Sequence, residues 1–211
     1  MPTPAGRRDA LVDAALRLLE TEGPEAVTVR RVAQHYGSST MVVYSEFGSL
    51  GALVDAVVVA GFGALREHLL AVEPSPDPVT DLWLLALAYT GFAEHRPHLY
   101  DAMYGASAPG GHRRTGEQLL LGLDTFRAYA DYCARAVAAG RLRPAEPLEI
   151  ALDLWTVVHG RIMLERSGLL GALGSIIRDD PVRTFETLMT GLGDDPARVR
   201  ASVAAVAGAV G

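Results

Sequence analysis

The sequence predicts an all-α protein of about nine or ten helices, an N-terminal three-helix unit followed by a helical bundle. Three observations carry that expectation. Apolar residues recur at i, i+3, i+4 and i+7 along nearly every segment, prolines stand at first-turn positions, and glycines stand just past the last periodic residue. At 211 residues the chain can bury roughly 70 to 75% of its extended surface, enough for a sizeable core.

Leu11, Ala14, Ala15, Leu18 and Leu19 share one helical face, and Gly23-Pro24 ends it, which predicts a helix over 7–22. The stretch Val27 to Val32 could alternate as a strand. Val29, Val32, Ala33 and Tyr36 continue at helical spacing, however, behind Thr28, a good N-cap, so the reading is a helix ending at Gly37. A short helix over 39–47 follows, with Val43 and Phe47 facing one way, and then a long one over 49–71 that stops before Pro74. The proline-rich segment 73–78 is stiff and marks the expected boundary, giving a reader over 1–48, a connecting helix over 49–73 and a C-terminal domain over 79–211. Further helices are expected at 79–95, 97–104, 115–139, 147–170, 181–192 and 195–207. Pro97, Pro181 and Pro196 open three of them, and Gly105 and Gly140 close two. Segment 105–112 has no periodicity and reads as a mobile loop. The Ala-rich tail from Ala201 onward reads as a terminal packing helix.

Composition narrows the function classes. Apolar residues make up 49% and charged residues 21%, which excludes intrinsic disorder. The longest uncharged apolar stretches, 82–93 and 56–65, are too short to span a bilayer, so no membrane association is expected. Asp9, Asp13 and Glu20 interrupt the N-terminal region where a signal peptide would be apolar, and the single Cys133 allows no internal disulfide, so the expected location is cytoplasmic. All 19 basic residues are Arg, and the net charge of −6 argues against a globally electrostatic nucleic-acid binder while leaving room for a local site.

Such a site is visible over 28–47. Ala33 is small where two helices cross, Gly37 permits a tight turn, and Val32, Val43 and Phe47 pin the second helix, which together describe a helix-turn-helix. In that geometry Ser39, Thr40, Met41 and Val42 enter the major groove. Arg30, near the start of the preceding helix, reaches a guanine or a phosphate. Thr28 and Ser49 sit at helix N-termini, where free N–H groups and the dipole favour a phosphate oxygen.

The order of these motifs resembles the DNA-binding domain of TetR-family regulators over residues 7–58: Glu22-Gly23, then Thr28-Val-Arg-Arg-Val-Ala33, then Tyr36-Gly37-Ser-Ser, then Val43-Tyr44-Ser-Glu-Phe47, then Leu53-Val-Asp-Ala. The resemblance implies a phosphate-contact role for Tyr44. It also implies a C-terminal bundle that dimerises and binds a ligand, and a two-fold dimer on a palindromic operator in double-stranded DNA. Three positions depart from the family pattern. Leu50 stands where a phosphate-binding Lys is usual, Met41 stands where a small residue is common, and Glu46 places a negative charge near the DNA backbone. Each lost phosphate contact flattens the salt dependence by about 0.9 in logarithmic slope, so operator binding would lean on base contacts and dimerisation.

Past the reader the resemblance is looser. Residues 139–147 resemble the connection into the family's dimerisation helix, and Trp155-Thr-Val-Val-His159-Gly160 looks like the Trp-His-Gly signature of one C-terminal subclass. Trp155 and His159 share a helical face, and Gly160 allows close approach of another backbone. Helices 147–170 and 181–192 are the expected dimer interface. The set Trp83, Phe92, Tyr100, Met103, Tyr104, Phe126, Tyr129, His159 and Met163 is the expected pocket lining, with packing as its default role. Few charges besides Arg127, Arg161 and Glu165 accompany it, which suits a small apolar effector.

Other features carry less. Cys133 reads as a small hydrophobe, and Pro97 separates His95 from His98, so with Glu94 they lack the geometry of a helical metal pair. No phosphate loop, nucleophile elbow or paired Cys is present, so neither an enzyme nor a cofactor is expected. The rival expectation is a helical small-molecule or protein-binding module with a degenerate reader.

Overall fold

The computed structural model describes residues 4–105, 109–174, 176 and 179–209. Among them are eleven α-helices and no strand: α1 (Pro4–Glu22), α2 (Val29–Tyr36), α3 (Thr40–Phe47), α4 (Leu50–Leu70), α5 (Pro78–His95), α6 (Pro97–Tyr104), α7 (Leu123–Ala138), α8 (Pro147–Arg166), α9 (Leu169–Leu173), α10 (Pro181–Gly191) and α11 (Pro196–Ala209). The caps explain most boundaries. Thr28 Oγ1 accepts the Arg31 N–H at 3.3 Å, and Asp180 Oδ1 accepts the Arg183 N–H at 3.0 Å. Gly37 and Gly105 close α2 and α6 in the left-handed region, at φ 79° and 78°.

Three sequence expectations need correction. The helix expected over 115–139 is a 3₁₀ turn, Gly116–Leu120, followed by α7. Thr115 and Gln118 form a reciprocal capping box on the turn, and Gly122 lies so close to Phe62 that a Cβ there would meet the ring at 2.5 Å. The helix expected over 147–170 is broken at Gly168, φ 77°, between α8 and α9. Residues 106–108 of the expected mobile loop lie outside the described residues. The rest is packed: Pro109 is buried, 109–111 form a 3₁₀ turn, and His112 bonds to Asp55 at 2.8 Å.

Contacts divide the chain into two compact units, residues 1–65 with 92–123, and residues 66–91 with 124–211. Their limits cross α4 and α5, whereas the sequence places its boundary in the proline-rich segment 73–78. That segment belongs to the second unit because its polar groups are bonded there. The Ser75 N–H donates to Asp81, Arg135 donates to the Ser75 carbonyl at 2.7 Å, and Asp77 accepts the Ser202 hydroxyl at 2.6 Å.

In the first unit α1, α2 and α3 pack on one another through Leu11, Leu18, Leu19, Val32 and Val43, all buried. α4 adds Leu53, Val57 and Leu65, and α6 packs on α1 and, through Leu99 and Met103, on α4 at Gly61. A Cβ at 61 would lie 2.9 Å from both of those side chains. The second unit has its core in Leu82, Leu85, Ile150, Leu154, Met189 and Val199.

A buried polar network ties the second unit together. Arg141, 5% exposed, donates to Asp194 at 2.6 and 2.9 Å, to Ser202 Oγ at 2.9 Å and to Asp77. Hydrogen bonding to Asp194 raises its pKa further, so the guanidinium stays charged. Removing one partner strands a buried charge. Arg141→Ala is therefore expected to destabilise the protein by about 3 to 5 kcal/mol in denaturant unfolding. Arg127→Ala, which breaks only the exposed pair with Asp124, should change stability by less than about 1 kcal/mol.

Candidate nucleic-acid interface

The turn between α2 and α3 is fixed by the backbone. Gly37 adopts the left-handed conformation, the Ser38 N–H donates back to the Ala33 carbonyl at 2.8 Å, and α3 starts at Thr40 with Ser39 as its N-cap. Val43 and Phe47 are buried against the rest of the reader, so the opposite face of α3 is turned outward. On that face Met41 is 70% exposed and Tyr44 48%, while Thr40 and Val42 are half-buried and Ser39 is exposed. Met41 and Tyr44 thus give the outward face of α3 both apolar surface and a phenolic hydroxyl.

The charges around this face are partitioned. Arg31 is committed to Glu22 in a bidentate pair at 2.6 and 2.7 Å. Its neighbour Arg30 is exposed and makes no hydrogen bond or ion pair with a described residue. Thr28 and Ser49 spend an oxygen lone pair on capping, Ser49 Oγ accepting the Ala52 N–H at 3.1 Å, and keep a hydroxyl proton to donate.

Two of the departures from the family pattern acquire structural roles. Glu46 pairs with Arg7 at 3.3 Å, and Arg8 donates to the Glu46 carbonyl at 2.7 Å while lying 4.2 Å from the centroid of Phe47. The acid is thus compensated by α1. Leu50 is half-buried with Gly110 against it, where a Cβ on Gly110 would meet Leu50 at 2.8 Å. An apolar anchor, not a phosphate ligand, is what that position requires. The pairing of Arg7 and Arg8 with Glu46 was not legible in the sequence, because it joins residues 39 and 38 positions apart.

The expected pocket lining divides between the units. Phe92, Tyr100, Met103 and Tyr104 belong to the first, where Tyr100 and Met103 are fully buried and Tyr104 meets Phe62 edge-on at 5.6 Å. Trp83, Phe126, Tyr129, His159 and Met163 belong to the second. There Trp83 packs on Phe185 at 5.0 Å, Trp155 stacks on His159 at 4.9 Å and 21°, and Phe126 meets Trp155 at 6.4 Å. Trp155 Nε1 donates to the Tyr89 hydroxyl at 2.9 Å. No described atom of the chain comes within 4 Å of where a Cβ on Gly160 would lie, so that backbone is open. Burial pushes the Tyr129 phenol up and the Cys133 thiol up to about 12, and pushes the His159 imidazole down from 6.5. All three are neutral at pH 7. Among the described residues no three His, Cys, Asp or Glu side chains are placed to hold a metal ion, and no single helix is long and apolar enough to cross a membrane.

An all-helical chain whose N-terminal helix-turn-helix presents the start of its second helix to solvent defines a DNA-binding transcriptional regulator. Residues 11–57 match the model of bacterial regulatory proteins of the tetR family, and residues 82–192 match that of the tetracyclin repressor-like C-terminal domain. The chain belongs to the TetR family. It is 26% identical over 163 residues, 77% of this chain and 72% of the relative, to the uncharacterized HTH-type transcriptional regulator Rv0681 of Mycobacterium tuberculosis. A structure of a protein with unknown function from Rhodococcus sp. RHA1 superposes with a TM-score of 0.70 at 26% identity, covering 89% of this chain and 96% of that one. RolR in complex with its ligand resorcinol gives a TM-score of 0.69 over 95% of this chain and 94% of that one; at 14% identity this is a likeness of fold alone.

The depressed His159 imidazole has a consequence for pH. Below about pH 6.5 the unfolded chain takes up a proton at this position more readily than the folded one, so stability is full above that value and falls on acidification. Thermal melts at pH 7.5 and pH 5.5 should show a larger loss for the wild type than for His159→Phe, which keeps the stack and cannot titrate. Equal losses would mean that His159 protonates as easily folded as unfolded.

Proposed function

We propose that this regulator binds a palindromic operator as a homodimer and acts as a repressor released by a small, lipophilic, neutral effector. The observation that carries the reading is the outward face of α3, where Met41 and Tyr44 are exposed above a buried Val43 and Phe47 and beside the uncommitted Arg30. Ser39, Thr40, Met41 and Val42 would meet base edges and thymine methyls in the major groove. Tyr44, Thr28 and Ser49 would hold phosphates, and Arg30 a guanine. Compensation of Glu46 by Arg7 supports a working reader over a degenerate one.

Dimerisation would use α8 and α10. Leu148, Leu152 and Leu164 of α8 are exposed, and the backbone at Gly160 is open, which leaves an apolar face for a second copy. Two readers related by a two-fold axis would then address half-sites roughly 34 to 36 Å apart or a multiple of that spacing.

The effector would lie in the second unit against Phe126, Tyr129, His159 and Met163. Neutral Tyr129 and His159 give such a lining hydrogen-bonding capacity without charge. α4 and α5 each run from one unit into the other, and α6 packs on α1 and α4 in the reader's own unit. Strain on these helices would reach the reader through covalent continuity and separate the two readers beyond groove spacing. A coupling of about 1 to 3 kcal/mol lowers operator affinity about 5 to 150-fold.

Two variants test the assignment of roles. Tyr44→Ala is expected to weaken preferred and random DNA alike, whereas Arg30→Ala weakens the preferred site by about 1 to 3 kcal/mol more than random DNA in competition titrations. Equal losses on both DNAs for Arg30→Ala would remove its base-reading role. An effector that binds tightly yet leaves operator affinity unchanged would contradict the release mechanism.

A further inference from the structure

We infer that Met41 is a reversible redox modification site: an oxidant of the peroxide class converts its thioether to a sulfoxide on the outward face of α3, and the change lowers the affinity of the reader for its operator. The chain has five methionines and one cysteine, and burial ranks all but Met1, which lies outside the described residues. Met103 and Met189 are fully buried, Met163 is half-buried, and Met41 is 70% exposed. Cys133 is fully buried as well, and burial pushes its thiol up to about 12, so it keeps its proton and is a poor nucleophile. Oxidation of sulfur follows exposure and, for a thiol, thiolate character. Met41 is therefore the described sulfur that an oxidant dissolved in water meets first.

The chemistry is a simple oxygen transfer. A lone pair on the Met41 sulfur attacks one oxygen of hydrogen peroxide, the O–O bond breaks, an S–O bond forms, and the displaced oxygen takes up the remaining proton and leaves as water. The sulfur loses an electron pair and the peroxide gains it. The fold survives this change. Met41 is the second residue of α3 and is turned to solvent, while Val43 and Phe47 hold the helix from the other side. A sulfoxide at Met103 or Met189 would instead put an unpartnered oxygen into a core. A small residue, common in the family at position 41, carries no sulfur, so the site belongs to this sequence and not to the fold.

The consequence for DNA rests on the reading of α3 as the recognition helix; the modification itself does not. As a thioether, Met41 is a flexible apolar group at the entering end of that helix, suited to thymine methyls. As a sulfoxide, it carries an oxygen that can only accept hydrogen bonds. Most polar base edges of the major groove are acceptors too, N7 and O6 of guanine, N7 of adenine and O4 of thymine, and donors are found only at N6 of adenine and N4 of cytosine. The oxidised side chain thus gives up its apolar partner and meets like dipoles in a groove flanked by phosphates. A seated operator covers the sulfur, so the free reader is the form that is oxidised. Methionine sulfoxide reductases return the thioether, which makes the change a switch and not a lesion.

The test treats the full chain with hydrogen peroxide, follows each methionine by peptide mapping, and titrates the palindromic site recovered by selection, and random DNA, before and after treatment. Met41 should gain its oxygen ahead of Met163 and well ahead of Met103 and Met189, with the thermal melt unchanged. The operator should slow oxidation of Met41 and leave that of Met163 as it was. Affinity for the operator should fall roughly tenfold while random DNA is held nearly as before, and methionine sulfoxide reductases should restore the loss. Met41→Leu, whatever its own starting affinity, should bind the operator equally before and after treatment. Oxygen on Met163 or a buried sulfur ahead of Met41, a Met41 sulfoxide with operator affinity unchanged, or an equal loss in Met41→Leu would overturn the proposal. A chain that selects no operator rejects the recognition reading, and the mapping then still decides whether Met41 is the site of oxidation.

Discussion

The arrangement of the first unit depends on how closely other segments can approach α4, and that is set by positions where a side chain is missing. At Gly61 a Cβ would collide with Leu99 and Met103, at Gly51 with the His112 ring at 2.9 Å, and across the gap at Gly122 with Phe62. Each distance is shorter than packed carbons tolerate, so a side chain at any of these positions would force Leu99, Met103, the His112 ring or Phe62 to shift, and glycine lets α6 and the 109–122 strap seat on α4 without that movement. The reader inherits its orientation from the same helix. α4 follows α3 directly through Gly48-Ser49, and it buries Leu53, Val54, Val57 and Val58 within the same unit.

This constraint accounts for the substitutions that look unfavourable in a DNA reader. A lysine at position 50 would put a cation where Gly110 now covers a leucine, so Leu50 exchanges a phosphate contact for the anchoring of the strap. Glu46 holds the start of α1 against the end of α3 through Arg7 and Arg8. Two arginines that could have met phosphates instead stabilise the recognition helix. In the operator complex proposed above, a reader with these arginines committed would lean on shape, base contacts and two-fold avidity.

What the sequence disclosed was local. The helix-turn-helix was legible because its signals lie within a few residues of one another: Thr28 as cap, Gly37 in the left-handed turn, Val32, Val43 and Phe47 at helical spacing. The α6 limits were legible for the same reason, with Pro97 and Gly105 at its ends. The strap was not. Its start read as part of the 105–112 loop and its end as part of a helix over 115–139, and the partners that fold it onto α4, Leu50, Gly51, Asp55 and Phe62, lie 57 to 63 residues away along the chain. Periodicity also ran through the real breaks before α7 and after α8, since apolar spacing survives a single Gly whose conformation is decided by packing. The aromatic set was chosen by residue type, which cannot tell the core of one unit from the lining of another. Hence Tyr100 and Met103 turned out to be buried in the first unit while Phe126 and His159 lie in the second.

Specific recognition by α3 is the central claim, and selection of bound sequences from a random double-stranded DNA library, with the winner titrated at two salt concentrations, tests it most directly. The account predicts a palindromic site held about 1,000-fold or more tightly than random DNA, with a shallow salt dependence because few phosphates are neutralised. Weak, sequence-blind binding with no palindrome among the selected DNAs would contradict it.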